Sequence, residues 1–275
     1  MSTGAGPLDG CTVVMAHPDD EILWASAVVR RAARIVLCFG AVPGRPALSE
    51  GRRRLAARFP LGSAQFLMQA EAGCAARAAW PAPRETPEGL ALPRLLPSER
   101  RRARAYAANF TELTQRLAPL LPAAGDVVTH NPWGEYGHEE HVQVLRAVMA
   151  ARSGPGCRVW VTGYVSDRSL ALMGRNLGRL GAPTPPLATD GALTQELKAL
   201  YVETGTWTWF ADYVWPRTER FFPLLDSPGP ADDGATLGMN VIRLGQPRRG
   251  RVAHFTRRLS AAIARRLPER AAHKP

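Results

Sequence analysis

The sequence predicts an α/β domain with a mostly parallel sheet and helices on both faces. Three observations carry that expectation. Short β-rich runs alternate with longer helical patterns, and a repeating β-then-α order calls for parallel strands with crossover helices. The chain has 275 residues, 45% of them hydrophobic, which suffices for one α/β domain with insertions. Two dense polar clusters each begin where an apolar run stops, as ligand-binding loops do at the carboxyl ends of strands.

The elements follow in order. Thr12–Ala16 reads as a buried strand, and a helix from about Asp19 to Ala33 follows. Arg34–Phe39 is a second strand, Ser49–Phe59 a helix, and Ala64–Gln69 a third strand. The proline-rich stretch Pro81–Pro97 reads as a loop insertion before a long helix, Glu99–Leu121, which Pro122 and Gly125 end. Asp126–His130 is a fourth strand, with a helix from about His138 to Arg152, and Arg158–Tyr164 is a fifth. Past Gly181 the pattern weakens into prolines, glycines and a Trp-rich segment, with a last helix at Val252–Leu267. Neither an internal repeat nor a linker interrupts the series. The expectation is therefore a single domain over residues 1–275, Rossmann-like in its core of about 10–165, with a variable C-terminal part, 166–275.

Composition excludes some functions. No stretch of about 18 apolar residues occurs, so no transmembrane helix is expected. The N-terminal MSTGAGPLDG lacks a charged start followed by an apolar run. Cys11, Cys38, Cys74 and Cys157 are scattered, a pattern that fits reduced thiols in the cytoplasm. The net charge is +11, yet Lys198 and Lys274 are the only lysines, and many arginines fall in one run, Arg248–Arg270. That run reads as a solvated basic tail, with an acidic partner such as a lipid headgroup or nucleic acid as the alternative; peripheral membrane contact fits it, and no nucleic-acid partner is expected.

The chemistry concentrates in VVMAHPDDEI, Val13–Ile22. Three adjacent carboxylates repel one another and need solvent or a cation. His17 and Asp20 are three apart across a turn, and Asp19 and Asp20 point about 100° apart on a helix, so one acid can bind a metal while the other stays free. The second cluster, HNPWGEYGHEEHVQV, places His138 and His141 three apart at a helix start. If His141 joins His17 and Asp20, two imidazoles and one carboxylate with open positions resemble a catalytic zinc site. That arrangement requires His17 and His141 to lie within about a nanometre of each other. His130 reads as a hydrogen-bonding loop residue.

In AHPDDE (Ala16–Glu21) and GEYGHEEH (Gly134–His141) the chain resembles the PIG-L/LmbE-like zinc-dependent N-deacetylases, and element order extends the resemblance over about residues 10–165. The resemblance implies one Zn2+ held by His17, Asp20 and His141, with Asp19 as general base. His138 would stabilise the oxyanion or protonate the leaving amine, and Tyr136 would help polarise the carbonyl. It implies hydrolysis of the acetamide of an N-acetylated amino sugar, an N-acetylglucosamine-type conjugate, in natural-product, glycolipid or surface-polysaccharide biosynthesis. Glu139-Glu140 stands where many members carry Pro-Asp, making Glu140 the expected orienter of His138. Leu23-Trp24-Ala25-Ser26 replaces a glycine-rich helix start. For substrate binding, the sequence offers one of the arginines 52–54, Arg53, for a hydroxyl or phosphate. It also offers Trp207 or Trp209 of GTWTWFADYVWP to stack on a sugar or an apolar aglycone, with core packing as the alternative. The rival readings are an amidase on a non-sugar amide, an iron(II) oxygenase with the same ligand types, and a basic nucleic-acid-binding protein.

Overall fold

The computed structural model describes residues 6–229 and 238–244. The arginine run Arg248–Arg270 and the helix expected at Val252–Leu267 lie outside the described residues. A six-stranded sheet forms the centre: β1 (Thr12–Met15), β2 (Arg34–Ala41), β3 (Ala64–Ala70), β4 (Gly125–Thr129), β5 (Cys157–Thr162) and β6 (Phe221–Pro223). Its spatial order is β6-β5-β4-β1-β2-β3. The first five strands pair in parallel and β6 runs antiparallel to β5. This is the α/β, mostly parallel architecture that the sequence implies.

Alternation along the strands divides the core in two. Val13, Met15, Ile35 and Leu37 face one layer, with Leu55, Leu193, Leu197 and Tyr201. Val14, Ala16, Val36 and Cys38 face the other, with Leu113, Leu117, Val144, Leu145 and Val148. Each buried valine, leucine, isoleucine or methionine among them contributes about 1.5–3 kcal/mol. The helices of the first layer are α2 (Ser26–Val29), α3 (Pro46–Arg58) and α7 (Gly191–Thr204); those of the second are α4 (Pro97–Leu117) and α6 (Glu139–Ala151). No helix among the described residues is long and apolar enough to cross a membrane.

Two departures from the expected elements bear on the site. The helix expected over Asp19–Ala33 is two short pieces, α1 (Asp20–Trp24) and α2, broken at Ala25 with φ −142°. The break exposes backbone groups that distant side chains satisfy: Trp215 Nε1 donates to the Ile22 carbonyl at 2.6 Å, and Glu219 accepts from the Ala27 N–H at 2.7 Å. The weakly patterned C-terminal part supplies α7, capped by Asp190 accepting from the Leu193 N–H at 2.9 Å and ended by Gly205 at φ 71°. Strand β1 lies between β2 and β4, so the chain order of the sheet reverses at the β1–β4 junction. Crevices at such junctions are where open α/β sheets bind ligands.

Candidate metal centre

The turn after β1 is tied by its own acid. Asp20 Oδ2 accepts from the His17 N–H at 2.8 Å and lies 3.2 Å from His17 Nδ1, while Oδ1 accepts from Trp24 Nε1 at 2.8 Å. Asp19 sits at φ 104°, a left-handed conformation that non-glycine residues rarely adopt. Its Oδ2 accepts from the backbone N–H and the hydroxyl of Thr208, at 3.0 and 2.7 Å. The two neighbouring acids thus have different partners, although Asp19 lies before the helix and not, as the sequence implies, on it.

The segment after β4 is a hydrogen-bonded scaffold. A single turn, α5 (Gly134–Gly137), bends at Glu135 with φ 52°. The Glu135 carboxylate accepts from the Asn131 N–H at 3.1 Å, from His130 Nδ1 at 3.0 Å, from His141 Nδ1 at 2.6 Å, and from the Thr162 hydroxyl. The Ala16 N–H donates to His130 Nε2 at 2.8 Å, so His130 carries its proton on Nδ1 and links the ends of β1 and β4. His141 is held in the same way through Nδ1, which leaves Nε2 to face Asp20 Oδ2 at 3.3 Å. That nitrogen is buried and makes no hydrogen bond.

The paired glutamates at the start of α6 diverge. Glu139 accepts from Ala76 N–H, Ala78 N–H and Trp80 Nε1 at 2.8, 2.6 and 3.0 Å and so fixes the loop after β3. Glu140 accepts from the Ala72 N–H at 2.6 Å and from His17 Nε2 at 3.1 Å. Its carboxylate therefore orients His17, where the sequence pointed to His138; what it offers His138 is its backbone N–H, 3.2 Å from Nδ1. That contact leaves the proton of His138 on Nε2. The two histidines expected as ligands are backed by carboxylates, and His138 is not, which is how metal-binding imidazoles are held.

Ring centroids of His17 and His141 are 5.5 Å apart and those of His138 and His141 4.6 Å, so the two distant segments close on one point. Among the described residues three groups could hold a metal ion: His17, His138 and His141; Asp20, His130 and His141; and His17, Glu71 and Glu140. The donor set fits a divalent cation, because Asp20 Oδ2 faces a nitrogen of each backed histidine and His141 Nε2 has no other partner.

The electrostatics point the same way. Burial opposes protonation of His17 and His141, but Asp20, Glu140 and Glu135 outweigh it and raise them to about 10 and about 9. Burial also resists ionisation of Glu135, yet His130 and His141 draw it down to about 2. Burial lowers His138 well below the usual imidazole range, helped by the charge of His141 and His17. Asp19 is pushed up to about 7 by burial and by Asp20, against the Thr208 hydrogen bonds. The carboxylates that favour positive charge on His17 and His141 would favour a cation at the same point.

The cluster opens into a cleft of about 230 Å³ whose walls include Leu23, Arg52, Tyr136, His138 and Trp209. Of the three consecutive arginines, Arg52 lines the cleft, 2% exposed and paired with Glu71 at 2.6 Å. Arg53 is exposed and paired with Glu50 at 2.8 Å, outside the lining. Trp209 stands 4.7 Å from Tyr136 and edge-on to Trp24 at 5.2 Å. Trp207 packs instead on the core beside Tyr201, with Lys198 Nζ 5.2 Å over its ring. Sequence reading also left Glu135, Glu71 and Thr208 without roles. The flanking glycines of Gly-Glu-Tyr-Gly signalled a special turn at Glu135; nothing local signalled Thr208.

No protein-family model matches the chain, and no curated protein matches it. Among solved structures the chain is similar to the conserved protein TT1542 from Thermus thermophilus, at 16% identity over 72% of this chain and 79% of that one, with a TM-score of 0.38.

Proposed function

We propose that the protein is a zinc-dependent N-deacetylase acting on an N-acetylated amino sugar of the N-acetylglucosamine type. The observation that carries this reading is the meeting of His17 Nδ1 and His141 Nε2 at one oxygen of Asp20, at 3.2 and 3.3 Å, with each histidine backed by a carboxylate and Asp19 beside them. The sheet order, which reverses at β1 and β4, is consistent with a Rossmann-like layout around that point.

Bound by His17, Asp20 and His141, zinc would acidify water and polarise an acyl oxygen. Asp19, held off that cluster by Thr208, accepts the proton of the attacking water. His138, with Nδ1 occupied by the Glu140 N–H, presents Nε2–H to the carbonyl oxygen, a contact of a kind worth about 3 kcal/mol of barrier. Asp19, having taken the proton of the water, returns it to the departing nitrogen. The C–N bond breaks, and acetate and a free amine leave. Leu23, Tyr136 and Trp209 form the apolar wall suited to the face of a sugar ring or an aglycone, and Arg52, paired with Glu71, also lines the cleft.

The test is release of acetate from a panel of N-acetylglucosamine conjugates and non-sugar acetamides, with zinc content measured on the same protein. Turnover of the sugar conjugates supports the reading. Turnover of the simple amides alone replaces it with an amidase, and a protein that binds no divalent metal refutes both.

A further inference from the structure

Asp19 is the group on which the proposed hydrolysis turns, yet nothing in its own turn holds its carboxylate. It precedes α1 without capping any backbone N–H there. Its side-chain partners come from 189 positions away: the N–H and hydroxyl of Thr208 both donate to Oδ2, at 3.0 and 2.7 Å. With Oδ2 engaged twice, Oδ1 is the oxygen left to accept a proton. Thr208 is itself exposed and buries little surface, so its contribution to folding is small.

Thr208 does not act as an isolated latch. The stretch that carries it braces the whole turn after β1 from outside. The Tyr201 hydroxyl donates to the Glu21 carboxylate, whose other oxygen accepts from the Asp19 N–H at 3.1 Å. Trp215 Nε1 holds the Ile22 carbonyl at 2.6 Å. Trp209, the residue after Thr208, walls the cleft. One segment therefore fixes both the proton acceptor and the surface against which a substrate would lie.

We infer that Thr208 is the positioning residue for Asp19, aiming Oδ1 at the reacting water by holding Oδ2 with two hydrogen bonds. This rests on the deacetylase reading of the same site. Residues that orient a group beside a metal typically contribute about 10- to 100-fold in activity. In the full-length, zinc-loaded protein, Thr208→Val should lower kcat by about that factor with KM nearly unchanged, since the hydroxyl's hydrogen bond goes to the Asp19 carboxylate. Thr208→Ser, which keeps both donors, should restore kcat. Zinc content and melting temperature should stay at the wild-type level in both variants.

The contact is read separately from turnover. The Thr208 amide proton should resonate downfield in a proton–nitrogen correlation spectrum and shift upfield in Asp19→Ala. A Thr208→Val enzyme as fast as wild type, or a Thr208 amide indifferent to Asp19→Ala, overturns the inference and leaves the deacetylase reading intact. Wild-type inactivity across the whole acetamide panel instead refutes that reading, and is recognised because the unmutated protein itself fails.

Discussion

The ends of β1 and β4 each present a buried carboxylate on a residue with left-handed backbone, Asp19 at φ 104° and Glu135 at φ 52°. Such positions cost on the order of 1–3 kcal/mol each and persist only where the surroundings over-determine them. The two acids nevertheless end as opposites. Glu135 gathers donors from Asn131, Thr162, His130 and His141, and burial, the first influence on it, is overcome by the charge of the two histidines, taking it down to about 2. Asp19 has Thr208 alone, and burial with Asp20 beside it takes it up to about 7. Neighbouring histidines make the one a fixed anion, and burial beside a like charge leaves the other able to exchange a proton. Two titratable groups driven apart in this way are how one site obtains both a support and a base.

The contrast is broken most completely by removing what both ends serve. His141→Ala deletes the nitrogen that Glu135 aims and that Asp20 faces. Zinc should be lost on dialysis and turnover with it; normal zinc content by atomic absorption would remove His141 from the ligand set. The next largest effect should come from the β1 end alone. Asp19→Asn keeps a residue tolerant of left-handed backbone, so zinc content and melting temperature should hold while kcat falls by about 10²–10⁴. Undiminished turnover in that variant would end Asp19's role as base.

The β4 end should respond in the reverse sense. Glu135→Gln leaves the protons of His130 and His141 without a charged acceptor, and breaking a buried ion pair by one partner costs about 3–5 kcal/mol. Urea unfolding should register that loss, and zinc affinity should drop by about 10- to 100-fold, with turnover restored by excess zinc. If Glu135→Gln kept full stability while Asp19→Asn lost it, the assignment of support and base would have to be exchanged.

How much of this was readable from sequence depends on how local the cause is. His17, Asp19 and Asp20 declare themselves because three adjacent acids behind an apolar run have no structural need. Arg53 is singled out from sequence, although the spacing of Leu48, Arg52 and Leu55, all three buried, puts Arg52 on the inward stripe of the helix and leaves Arg53 and Arg54 off it. The break at Ala25 was not legible. No proline or glycine marks it, and the groups that make it tolerable, Trp215 and Glu219, lie almost two hundred residues on. Trp209 and Thr208 belong to a loop with no periodicity, where only the folded chain distinguishes a cleft wall from the core position that Trp207 takes. Asp190 and Gly205, by contrast, flank a helix that their capping chemistry would have marked.

Glu219 sharpens the comparison as a third buried carboxylate outside the metal cluster. Burial raises it to about 7, while the Tyr164 hydroxyl and the Ala27 N–H, each donating at 2.7 Å, hold it lower than burial alone would. A raised pKa by itself is thus no mark of a base, and Glu219→Gln should leave turnover unchanged, its amide donating to the Tyr164 oxygen in place of accepting. The consequence is confined to stability. A carboxyl that holds its proton more tightly folded than unfolded makes the native state the better proton binder between the ordinary value of 4.5 and about 7. Stability therefore falls as pH rises through that window, by at most about 1.4 kcal/mol per pH unit for one proton. Other groups titrate there too, so the quantity to measure is the difference between wild type and Glu219→Gln in urea unfolding across the window. It should move in favour of the glutamine variant with rising pH and level off above about 7, and a difference that stays flat would mean that Glu219 is ionised throughout and that the Ala27 and Tyr164 hydrogen bonds outweigh its burial.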